Sequence, residues 1–174
     1  FSTRCTAYNG ETMFKIDNIL ETIEMIRDEH LDIRTITLGI SLHDCVSEDS
    51  TRRCDMIYDK LTKTAEKLVS TGEQIEKRYG IPIINKRVSV TPVSQIGGKA
   101  SSEDYVKIAK TLDRAAHTLG INFIGGYSAL VHKHMTKGAQ ALIESIPEAL
   151  STTDMVCSSV RSEERRGGKE CRSR

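Results

Sequence analysis

The stretch Gly80–Pro92, GIPIINKRVSVTP, decides the fold. Within it, Ile81–Val90 is rich in β-branched residues and reads as a strand. Gly80 suits the residue that closes a helix, and Pro82 blocks helix continuation. Upstream, Thr51–Tyr79 carries Ile57, Leu61, Ala65, Leu68 and Ile75 at helical spacing, which predicts one long amphipathic helix. Downstream, Ser102–Leu119 carries Val106, Ile108, Ala109, Leu112, Ala116 and Leu119, with Gly120 to end it. A strand between two helices is the unit of an α/β fold.

The same alternation extends outward. Asp32–Leu42, DIRTITLGISL, reads as another strand. Lys15–Glu29, with Ile16, Ile19, Leu20, Ile23 and Ile26, reads as a helix before it. Toward the C-terminus, Ile121–Gly125 (INFIG) predicts a short buried strand and a helix follows from about Tyr127. Another helix starts near Thr136, and Pro147 is expected to break or restart it. Met155–Val160, MVCSSV, reads as a last strand. No internal repeat or low-complexity linker interrupts residues 13–160, which predicts one α/β domain with helices packed around a mixed sheet or barrel.

The two ends differ from this body. Arg161–Arg174, RSEERRGGKECRSR, holds six basic and three acidic residues and no large apolar one. Such a segment cannot offset the entropy of ordering by burial, so disorder is expected. It also begins as the translation of a sequencing adapter does: AGA TCG GAA GAG CGT encodes RSEER, although Gly167 stands where that frame has Val. Residues 161–174 are therefore expected to be adapter-derived, the other reading being a charged tail. Residues 1–12 read either as translated leader ahead of Met13 or as an ordinary ragged N-terminus.

Composition excludes several function classes. The formal charge is +1, and without the tail it is −2, so no nucleic acid partner is expected. No apolar run approaches the length of a membrane span, and the start lacks the apolar core of a secretory signal. The five cysteines, Cys5, Cys45, Cys54, Cys157 and Cys171, are scattered and include no C-x-x-C pair. That suits reduced thiols in a cytoplasm.

Four segments carry a specific resemblance: DIRTITLGISLHDC (Asp32–Cys45), GIPIINKRVSVTP (Gly80–Pro92), NFIGGYSALVHK (Asn122–Lys133) and SIPEALSTTDMVCSSV (Ser145–Val160). In order and spacing they resemble uncharacterised protein family 210, also called domain of unknown function 711, over about Met13–Val160. The resemblance implies the N-terminal part of a β/α barrel like that of pyruvate formate-lyase and other glycyl radical enzymes, truncated here. It also implies a homodimer when full length, and a partner bearing an ACT domain. No reaction is established for that family, and fold alone does not supply one.

Candidate sites follow from the strands. On Ile81–Pro92, a period of two puts Asn85, Arg87, Ser89 and Thr91 on one face. A polar row there suggests a barrel interior or mouth, where Arg87 can grip a carboxylate or phosphate; the bland reading is a solvated face or a structural ion pair. Gly125 and Gly126 are expected between a strand and a helix, where backbone N–H groups can hold an anion, or else to make only a tight turn. Gly97-Gly98 reads as a loop over a sheet end. Cys45 beside His43 and Asp44 is a candidate thiol, with an inert buried thiol the commoner case. Cys157 is similar, and the resemblance adds that radical enzymes of that fold use a barrel thiol. Arg34 is expected to pair with a buried carboxylate. His132-x-His134 lacks a third ligand and Ser158 and Ser159 lack a partner, so no metal site and no cofactor are expected.

The sequence thus predicts a cytoplasmic protein that binds a small anionic or amino-acid-like metabolite. The rival expectation is a non-catalytic regulatory or structural homodimer working with an ACT-domain protein.

Overall fold

The computed structural model describes residues 20–21, 23–24, 27, 32–98, 100–131 and 135–162. The expectations for residues 1–12, for the rest of the helix over 15–29, for His132 and His134 and for the tail beyond residue 162 lie outside them. Four strands form one sheet: β1 (Ile33–Ile40), β2 (Ile83–Val90), β3 (Phe123–Val131) and β4 (Val156–Ser162). They lie in the order β1-β2-β3-β4, and all three pairings are parallel, so the sheet described is not mixed as expected.

Parallel neighbours need a crossover, and each one carries helix. Between β1 and β2 lie a 3-10 turn (His43–Cys45), α1 (Ser50–Ala65) and α2 (Leu68–Tyr79). Between β2 and β3 lie the short α3 (Val93–Ile96) and α4 (Ser102–Leu119), and α5 (Lys137–Ser151) precedes β4. No helix among the described residues is long and apolar enough to cross a membrane.

Local chemistry sets the helix ends. The Asp49 side chain caps α1 by accepting from the Thr51 N–H at 3.0 Å. Ser101 and Asp104 form a reciprocal capping box on α4, and Gly120, at φ +66°, ends that helix. Thr136 caps α5. The core then fills from one side of the sheet. Ile57 and Leu61 of α1, Ile108 and Leu112 of α4 and Leu142 of α5 are fully buried against Val88 and Ile124. Each such side chain contributes about 1.5–3 kcal/mol by leaving water.

Three expected elements differ. The long helix over 51–79 is two helices. Its bend at Glu66–Lys67, with no Pro or Gly there to announce it, leaves Gly72 of α2 against the sheet. A Cβ on Gly72 would stand 3.2 Å from both Ile36 and Lys86. The expected helix from Tyr127 is strand instead: the pair Gly125-Gly126 is a register shift inside β3, not a turn. Gly126 takes φ +117°, which lets the strand run on and sends Tyr127 into the core. Pro147 neither breaks nor restarts α5, which runs through it.

Candidate functional site

The two faces of the sheet have different chemistry. Ile36, Leu38 and Ile40 of β1, Val88 and Val90 of β2, Ile124 and Tyr127 of β3 and Val156 of β4 look toward the helices. The opposite face takes the alternate residues. Register aligns Thr35 with Asn85, then Thr37 with Arg87 and Phe123. The next row runs across all four strands as Gly39, Ser89, Gly125 and Cys157, and Ser128 pairs with Ser159 beyond the shift. Thr37, Gly39, Arg87, Cys157 and Ser159 are exposed and Asn85, Ser89, Gly125 and Ser128 half-buried. No described helix covers this face.

Arg87 is the cation of the central rows, and Arg161, opposite Leu130, follows at the far end of the same face. The Arg87 Nε donates to Thr37 Oγ1 at 3.1 Å, which holds the side chain along the sheet. It has no carboxylate partner among the described residues. Asn85 donates from Nδ2 to the Arg34 carbonyl at 3.1 Å. The Thr91 oxygen is engaged: it accepts from the Leu42 N–H at 3.1 Å and ties the turn after β1 to the end of β2. Gly125 opens onto free space, since a Cβ there would touch nothing within 4 Å. The expected anion-holding helix start after Gly125-Gly126 does not exist, because both residues are in β3.

The two candidate thiols separate. Cys45 is 2% exposed, and its thiol donates to the Met56 carbonyl at 3.6 Å. Burial pushes its pKa up, against the pull of Lys60, so it is an inert core residue. Lys60 instead pairs with Asp44 and holds that carboxyl below its usual range. Cys157 is exposed beside Gly125. Arg34 does not pair with a buried carboxylate; it is exposed and lies 3.8 Å from Asp32 at the surface. The Ser158 hydroxyl is buried on the helix side without a partner among the described residues. No cluster of three metal-ligating side chains occurs among the described residues.

A cavity of about 600 Å³ lies at the loops after β1 and β2, among Ser47, Glu48, Arg53, Gly97 and Asp104. Of these only Gly97 stood out in the sequence. Arg53 carried a signal that was there to read. It follows Arg52 in the first turn of α1, where the helix dipole disfavours positive charge and the N-cap Asp49 is the one carboxylate set against two guanidinium groups. A cation placed against the dipole calls for another reason.

Comparison with known proteins agrees with the resemblance. The family model described as Uncharacterised ACR (DUF711) matches residues 24–172. A UPF0210 protein of Desulforamulus reducens is 57% identical over 148 residues, which is 85% of this chain and 33% of that protein. One of Ruminiclostridium cellulolyticum is 61% identical over 142 residues, 82% of this chain and 31% of its own. One of Clostridium botulinum is 62% identical over 144 residues, covering 83% and 32%. The chain thus spans about a third of the length of the curated relatives it matches.

Proposed function

The chain belongs to the DUF711 (UPF0210) family, and from that premise we propose that its polar sheet face is one wall of a closed β/α barrel that binds a small anionic or amino-acid-like metabolite. The observation that carries this reading is Arg87, exposed, held by Thr37 and without a carboxylate partner among the described residues, on a face that no described helix covers.

Two physical arguments support it. Parallel sheets are covered on both faces in folded proteins, so something outside the described residues covers this one. An apolar layer would want Val, Ile and Leu there, whereas apart from Phe123 the rows hold Thr, Asn, Arg, Ser, Gly and Cys. The strand order is the second argument. Sequential parallel strands with right-handed crossovers put every helix on one side, which is how a barrel winds and not how a doubly wound sheet does. The rows hold a cation, one amide and several hydroxyls to bind an anion. They hold no carboxylate or imidazole to act as a base, and the Cys157 thiol is the one acidic group among them.

The test is a thermal-shift screen of small carboxylates, phosphates and amino acids on the full-length protein and its Arg87→Ala variant. The reading expects one chemical class to stabilise the protein and the variant to lose that response. Stabilisation that survives in the variant, or none from any compound, removes Arg87 from a ligand site.

A further inference from the structure

The cavity at the ends of β1 and β2 is lined by different residues from those of the sheet face, and its chemistry points to its own ligand. It sits at the carboxyl ends of two neighbouring parallel strands, where ligands of α/β proteins bind. Its floor holds a charge without a counterion. Arg53 is 3% exposed. Its Nη1 donates to the Ser47 carbonyl at 3.0 Å and to the Gly97 carbonyl at 3.1 Å. Its Nε is buried with no partner, and it forms no ion pair among the described residues. Carbonyl oxygens satisfy two hydrogen bonds but do not neutralise the guanidinium, which stays charged however deep it lies. A buried charge left in this condition is costly, and an anion in the adjoining cavity removes that cost.

Two carboxylates line the same cavity, Glu48 and Asp104. Neither comes within ion-pair distance of Arg53. Asp104 is held low by Lys107 and bound to Ser101, and so stays negative, while Glu48 has no described partner. Ile96 and Ala100 add an apolar wall. A cation and anions kept apart within one space fit a ligand that carries both charges. We propose that this cavity binds a small zwitterion of the α-amino-acid type, its carboxylate on Arg53, its ammonium group toward Glu48 and Asp104, and an apolar side chain toward Ile96 and Ala100.

The experiment uses three probes that differ only in charge: L-valine, 3-methylbutanoate, which lacks the ammonium group, and isobutylamine, which lacks the carboxylate. Calorimetric titration of the full-length protein is expected to rank L-valine first, about tenfold or more tighter than either fragment. Arg53→Met is expected to abolish binding. Arg53 also joins two loops, so that variant can fail for structural reasons. Glu48→Gln, a change at an exposed residue, is expected to shrink the preference for L-valine over 3-methylbutanoate, leaving the part owed to Asp104. Arg87→Ala is expected to leave all three affinities unchanged, which separates this site from the sheet face. Equal binding of L-valine and 3-methylbutanoate, no binding of L-valine at millimolar concentration, or an unchanged preference in Glu48→Gln overturns the proposal.

Discussion

Adjacent glycines in β3 offer a matched pair of substitutions with opposite expected signs. Gly126 sits at φ +117°, a conformation that L side chains rarely adopt. A Cβ there would stand 2.5 Å from both the carbonyl oxygen and Cγ2 of Val90, which is itself buried in β2. Backbone strain of this kind costs about 1–3 kcal/mol. Forcing a methyl into a packed strand pair costs about another 1–3 kcal/mol. Gly126→Ala is therefore expected to destabilise by about 3 kcal/mol or more. Gly125 has an ordinary φ and open space where its Cβ would go. Gly125→Ala restricts the unfolded chain without a clash and is expected to be neutral or to stabilise by up to about 1 kcal/mol. Urea unfolding of the full chain followed by far-ultraviolet circular dichroism reads both, since there is no Trp to report by fluorescence. The midpoints should move apart with the slopes unchanged. Equal shifts, or a Gly126→Ala loss below about 0.5 kcal/mol, would refute the bulge as the device that carries β3 past the glycine pair.

Other outcomes can be checked on the same protein. Ser101→Ala removes one half of the capping box on α4 and is expected to cost about 1 kcal/mol in the same unfolding assay. Asp104 has its carboxyl lowered to about 2, chiefly by Lys107. Its stabilising effect is therefore complete above pH 3.8 and lost as pH falls through about 2, and Asp104→Asn should flatten that part of the stability profile. Brief alkylation of the folded chain, mapped by mass spectrometry, should label Cys157 well before Cys45 and Cys54; early labelling of Cys45 would contradict its place in the core.

The α/β class and the membership of most elements were legible because period and punctuation agree in this sequence. Gly80 and Gly120 both end helices in the left-handed region, as their positions suggested. The polar row Asn85, Arg87, Ser89 was legible too, because alternation on a strand is a local property. What escaped was non-local. The bend at Glu66–Lys67 has no local marker; it goes with Gly72 lying against Ile36 and Lys86 of the sheet. Gly125-Gly126 carries the composition of a turn, and only the approach of Val90 makes it a bulge. Pro147 stays within α5 with Ser145 and Ala149 buried on either side, so tertiary packing overrides a local breaker. The Arg53 cavity unites residues from two stretches of chain more than forty positions apart, which no spacing rule links, as in the contact between Arg53 of α1 and Gly97 after α3.

A crystal structure of the full-length protein would test the central claim most directly, by revealing what lies against the row Gly39, Ser89, Gly125 and Cys157. The account predicts a closed barrel whose cavity, filled by water or ligand, is lined by this row, with an anion or a ligand carboxylate within hydrogen-bond distance of Arg87. Apolar side chains from another layer packed directly onto the row, with Arg87 paired to a structural carboxylate, would contradict it.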